Sequence, residues 1–169
     1  AWANMLDVGL TATASRETAR FAGGASGPDG YREIIAALEG LFGTLGLLIL
    51  AILLLASGYM GESWFSASSI SSKELKYSFS MIAGVVALRW VSGLYRGVIV
   101  GNQRFVWLSL FNIFAATVRF VFVLPVLIFI DSSPSTFFSY QLFVAIIEFL
   151  VLFLFAYKLL PVAATMKLQ

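Results

Sequence analysis

The 169-residue chain contains no cysteine and no histidine. Disulfide scaffolds, thiolate or imidazole metal sites, and catalysis by a Cys or His side chain are therefore excluded for this stretch. Charge is scarce as well: 12% of residues are Asp, Glu, Lys or Arg, where soluble domains carry about a quarter. A net charge of +2, with no basic cluster on a soluble face, leaves no electrostatic footprint for nucleic acid. The phosphate loop G-x-x-x-x-G-K-[ST], the metalloprotease H-E-x-x-H and the nucleophile elbow G-x-S-x-G are all missing. No catalytic residue, metal ligand or cofactor is assigned, and the chain is read as not an enzyme.

What the chain has is apolar length. Hydrophobic residues make up 60% and aromatics 15%, and the mean hydropathy is +0.92. About 20 apolar residues are needed to cross about 30 Å of hydrocarbon as a helix. The fold class expected is all-α, a polytopic membrane helix bundle of about four and a half crossings. These are placed at residues 1–20, 34–59, 75–100, 104–130 and 136–160. Ala1 to Ala14 has no charged segment before it and does not resemble a signal peptide. It reads as the second half of a crossing, and 1–169 as part of a larger helical lobe.

Phe21 to Tyr31 holds Gly23, Gly24, Gly27, Pro28 and Gly30 and is expected to be a loop. Asp29 is placed to cap the next helix, whose positive end Glu33 also favours. In the crossing 34–59 the only ionisable residue is Glu39, and Gly40, Gly43 and Gly46 form a small-residue stripe suited to helix contact. Met60 to Lys76 is polar and Ser-rich, with Trp64 and Phe65 suited to the interfacial belt.

The middle of the chain carries the unusual charges. Arg89 lies near the centre of crossing 75–100, and Arg119 near the centre of crossing 104–130. A charge at that depth costs about 2.5–3.5 kcal/mol on a translocon scale. Such residues face a partner acid, a watery cavity or an anionic substrate. Arg89 and Arg96 are seven apart, as are Asn112 and Arg119, so each pair lies two turns along one helix face. Pro125 should kink its helix. Glu148 sits near the middle of the last crossing, at a depth similar to Arg89 and Arg119. Two readings stay open for it: a structural pair with one arginine, or a shared cavity with a substrate. Arg89, Arg119, Asn112 and Glu148 are the candidate cavity residues.

Lys and Arg in the connecting segments set the expected orientation. Arg16, Arg20, Arg32, Arg96, Arg104, Lys158 and Lys167 fall on one side, and Lys73 and Lys76 on the other. The loop 21–31, the 101–104 turn and the C-terminus are thus expected on the cytoplasmic side of a cell membrane.

Two segments resemble a known family. Asp7-Val8-Gly9-Leu10-Thr11-Ala12-Thr13-Ala14-Ser15-Arg16-Glu17-Thr18-Ala19-Arg20 is similar to the segment closing the second transmembrane helix of polysaccharide-transporter flippases. These are the O-antigen or repeat-unit flippases of the multidrug/oligosaccharidyl-lipid/polysaccharide exporter superfamily. Gly93-Leu94-Tyr95-Arg96-Gly97 with Gly101-Asn102-Gln103-Arg104-Phe105 is similar to the link between the family's fourth and fifth helices.

The resemblance implies that 1–169 runs from the end of helix two through helix six, and that helix one and a second lobe belong to the same protein. It implies transport of an anionic lipid-diphosphate-linked oligosaccharide by alternating access, with membrane lipids, the second lobe and a polysaccharide polymerase as partners. Asp7, Arg16, Arg20, Arg96 and Arg104 occupy the family's cytoplasmic motif positions. For Arg16 and Arg20 the competing role is membrane topology and pairing with Glu17. Asp7 is open between capping, pairing and proton sensing. Two other functions compete: a cation-coupled drug or metabolite antiporter, in which central acids should outnumber arginines, and a membrane-embedded glycosyltransferase, which would need a large external loop. A purely structural helical subunit would neutralise every intramembrane charge in pairs.

Overall fold

The computed structural model describes residues 9–63 and 72–161, and these form helices and short turns without a strand. Six helical segments follow one another: α1 Leu10–Ala22, α2 Pro28–Ser63, α3 Ser72–Gly101, α4 Phe105–Phe120, α5 Val123–Phe129 and α6 Pro134–Leu159. Four stretches are long and apolar enough to cross a membrane: 28–57, 73–101, 105–129 and 134–159. The chain is an all-α helical bundle, and its apolar helices mark it as a membrane protein.

The second helix starts earlier than its sequence suggests. The loop expected at 21–31 shrinks to 23–27, because Pro28 opens α2 and its fixed φ suits a first helical turn whose N–H has no partner anyway. Asp29 consequently lies inside the first turn and does not occupy the cap. Tyr31, expected in a loop, is 1% exposed. Its ring stacks on Phe21 at 4.5 Å, and its hydroxyl meets Thr18 Oγ1 at 2.9 Å. Residues 60–63 continue α2, and Trp64, Phe65, Asp7 and Lys167 lie outside the described residues.

The third helix is the hub. It packs against α1, α2 and α6, and half of its most apolar window is buried, against 11–28% in the other three crossings. Polar and charged side chains such as Ser78, Arg89, Ser92 and Arg96 disfavour lipid contact all round, and packing on three neighbours avoids it. Buried Leu94, Tyr95, Val98 and Ile99 of α3 meet Ala14 of α1, Tyr31, Ile35 and Phe42 of α2, and Leu152 and Ala156 of α6. This core fills the half of the bundle next to the 23–27 and 102–104 turns.

Glycine sets how closely α1 and α3 approach. A Cβ added at Gly97 would stand 2.6 Å from the carbonyl oxygen of Thr11, and one at Gly101 would stand 2.5 Å from that of Ser15. A Cβ added at Gly93 would stand 3.0 Å from Thr11 Oγ1. The three recur at four-residue spacing, which keeps them on one face. The Gly40, Gly43, Gly46 stripe behaves differently: only Gly46 touches a neighbour, Val91 of α3, while Gly40 and Gly43 meet nothing within 4 Å. At about 3.6 residues per turn a three-residue step turns the face by about 60° each time, so such a stripe does not stay on one partner.

The crossing 104–130 is broken, as Pro125 implied, with the break at Val121–Phe122. A proline has no N–H to offer the carbonyl four residues back, and its ring crowds it; here that carbonyl is Val121, which accepts instead from Leu124 N at 3.2 Å. Phe122 N reaches back to Thr117 O, leaving the carbonyls of Val118 and Arg119 without their usual donors. Helix α6 supplies them: the Tyr140 hydroxyl donates to Val118 O at 2.7 Å, and Gln141 Nε2 to Arg119 O at 3.1 Å. Ser133 caps α6 itself, its hydroxyl accepting from Thr136 N, with Pro134 in the first turn.

Candidate functional site

The mid-helix charges converge on one cavity of about 220 Å³, lined by Arg89, Ser92, Arg96, Arg119, Ala145 and Glu148. Arg89, Ser92 and Arg96 come from α3, Arg119 from the end of α4, and Ala145 and Glu148 from α6. Positions 89, 92 and 96 repeat at three and four residues, so one face of α3 forms one wall. Ala145 and Glu148, three apart, form the facing wall on α6.

Arg119 and Glu148 are an ion pair. Arg119 Nη2 contacts both carboxylate oxygens, with Glu148 5% exposed. Arg119 also lies 5.8 Å from the centre of the Phe120 ring, within cation–π range. Its Nε is buried and has no acceptor among the described residues, so the guanidinium is not saturated. Arg96 Nη1 donates to Asn112 Oδ1. Arg89 makes no hydrogen bond or ion pair with a described residue.

Three guanidiniums against one carboxylate leave two positive charges in excess in this cavity. One carboxylate offsets one of the three positive charges, whichever guanidinium it touches. Guanidinium stays charged in any protein setting, and its planar fork matches the oxygens of phosphate and carboxylate. The arrangement therefore provides a partly exposed, anion-attracting surface with spare donors. Among the described residues no group of acids could hold a metal ion.

Of the four candidate cavity residues, Arg89, Arg119 and Glu148 line the cavity directly, and Asn112 joins through Arg96. The residue that sequence reasoning placed elsewhere is Arg96, counted with the cytoplasmic loop charges. It is two helical turns from Arg89 on the same face, and that spacing was the signal. Glu39 stands apart from the cavity lining: Tyr157 donates to it at 3.1 Å and Tyr95 at 3.5 Å, tying α2 to α3 and α6.

The motif residues at the turn end of the bundle make structural contacts. Glu17 is buried and pairs with Arg20 at 3.1 Å and with Arg16 at 3.6 Å. Arg32 donates to the carbonyl of Pro161, which joins the start of α2 to the end of α6. Arg104 precedes α4, and its carbonyl accepts from Leu108 N. The two segments that resemble the flippase family are packed on each other, since Thr11, Ser15 and Thr18 lie against Gly93, Gly97 and Gly101.

No family model, no curated protein and no solved structure matches the chain. What fold and site define is a class: a helical membrane protein whose described residues form a net-cationic cavity between helices. The more particular family reading rests on the two motif segments.

Proposed function

We propose that the chain belongs to a membrane transporter that moves a lipid-diphosphate-linked oligosaccharide across the cell membrane by alternating access. The observation that carries this reading is the cavity, in which Arg89, Arg96 and Arg119 face a single carboxylate, Glu148. A charge at mid-membrane depth is costly, and a bundle needing only structural pairs would supply an acid for each base. Two uncompensated guanidiniums suit a diphosphate, whose oxygens accept forked hydrogen bonds. The same excess disfavours a cation-coupled antiporter built on central acids.

In this reading Arg89 and Arg96 hold the diphosphate, and Arg119 contributes its unsatisfied Nε side. The 23–27 and 102–104 turns face the cytoplasm, as their charges direct: Arg16, Arg20, Arg32, Arg104 and Lys158 lie at that end, and Lys73 and Lys76 at the other. Arg96 no longer counts toward that bias, which still holds without it. A second helical lobe would close the cavity from its open side.

The test is complementation by the protein as its gene encodes it, in a strain lacking its repeat-unit flippase. Arg89→Ala and Arg96→Ala should abolish surface polysaccharide at matched membrane levels, and the lysine variants should restore part of it. Undiminished polysaccharide in both alanine variants would remove the cavity from the transport path.

A further inference from the structure

The seam between α4 and α6 is fastened at its two ends and open between them. At one end the Trp107 and Phe155 rings stack at 3.6 Å, 5° from parallel. At the other, Tyr140 and Gln141 bond the carbonyls of Val118 and Arg119. Between these fastenings lies a second cavity of about 120 Å³. Its lining is mostly apolar, with Phe111, Phe114 and Ala115 on α4 and Phe143, Val144 and Ile147 on α6; the polar members are Glu148 and Tyr140, whose hydroxyl already donates to Val118 O. Phe114, Phe143 and Ile147 are among the exposed large hydrophobics, so the seam opens on the lipid-facing surface of the bundle.

Glu148 thus belongs to two cavities at once, the apolar one and the cationic one. The Arg119–Glu148 ion pair stands at the junction of the two. We propose that this seam is a lateral binding site for one hydrocarbon chain of an anionic lipid, whose charged head enters the arginine cavity past the Arg119–Glu148 pair. This extends the transport reading and rests on it for the diphosphate head, while the seam itself is argued from geometry.

The chemistry of the two compartments complements one such molecule. An apolar slot between helices accepts a chain without stranding polar groups, because the freed carbonyls nearby are already satisfied by Tyr140 and Gln141. An anionic head arriving next to Arg119 competes with Glu148 for the same Nη2 and offers an acceptor to the unpartnered Nε. A neutral lipid of the same tail lacks that second compartment. Charge should therefore decide occupancy of an otherwise greasy seam.

The probe is a polyprenyl diphosphate carrying a photoreactive group on its chain, used on the purified protein in nanodiscs beside the polyprenyl alcohol of equal length. Cross-linked peptides are mapped after irradiation. Diphosphate labelling within 111–118 and 143–151 should exceed alcohol labelling by roughly tenfold, the ratio for a 1.4 kcal/mol preference. Ala115→Trp, which fills the slot, should remove that excess, with folding checked by an unchanged melting curve. Equal labelling by the two probes would mean the seam holds bulk lipid, and no labelling by either would mean protein covers it; either result overturns the proposal. Charge-selective labelling together with intact polysaccharide in the Arg89→Ala and Arg96→Ala strains would sink the transport reading and leave the lipid site standing.

Discussion

Replacing Glu148 by leucine separates what the ion pair does for the fold from what the arginines do for a ligand. Glu148 is 5% exposed and accepts from Arg119 through both oxygens. Removing one partner of a buried pair costs about 3–5 kcal/mol, because the other is left as an uncompensated charge. The Arg119 side chain keeps 19% exposure and borders a cavity, so the lower end applies, about 3 kcal/mol. For a chain of this size that corresponds to a melting shift of about 6–12 °C, at about 2–4 °C per kcal/mol. Arg119→Leu should destabilise as well, because it leaves Glu148 as the partner without its counter-charge. The double variant, Arg119→Leu with Glu148→Leu, should melt within about 1 kcal/mol of the parent, because a buried pair replaced by apolar side chains is often neutral or stabilising. The assay is a double-mutant cycle by thermal unfolding in one detergent, and the expected coupling is at least about 2 kcal/mol. Additive losses in the double variant would show that the pair is not the source of the stability, and the cavity would have to be re-described.

Two further expectations follow from the packing. Gly97→Ala and Gly101→Ala should each cost about 1–3 kcal/mol, since the added carbon meets backbone that has no rotamer to yield; Gly40→Ala, with open space around it, should be neutral or up to about 1 kcal/mol stabilising on helix propensity. Residues 1–169 hold no cysteine, so in a protein cleared of cysteine elsewhere, single cysteines at Ala25 and Ser132 report sidedness: an impermeant maleimide added to intact cells should label position 132 and spare 25, and the reverse pattern would invert the orientation.

Much of this arrangement could be read from the chain before any coordinates. Depth is legible, since rise per residue is fixed at 1.5 Å; that is why Arg89, Arg119 and Glu148, each near the middle of its apolar run, were grouped and do share a cavity. Azimuth is harder, because it depends on which neighbour a face meets. Arg96 was therefore counted with the loop charges although it points into the same cavity as Arg89. The glycines show the same limit: three-residue spacing at 40, 43 and 46 drew attention, while the four-residue run at 93, 97 and 101 makes the close seam. Local backbone chemistry was under-read in two places. Pro28 begins a helix inside a glycine-rich stretch that reads as a loop, and Pro125 breaks its helix one turn upstream, where the missing bond falls. The fastening of that break by Tyr140 and Gln141 has no local signal at all, since the partners are about twenty residues apart.

Arg119 is held by α6 at two points, its carbonyl by Gln141 and its guanidinium by Glu148. These holds are seven residues apart on α6, two turns along one face. If an anion draws the guanidinium away from Glu148, the backbone hold persists, and α4 keeps its register against α6. Reclosure then needs only a side-chain rearrangement, whereas re-finding a slipped helix register takes microseconds to milliseconds. Losing the ion pair therefore need not cost the helix its alignment.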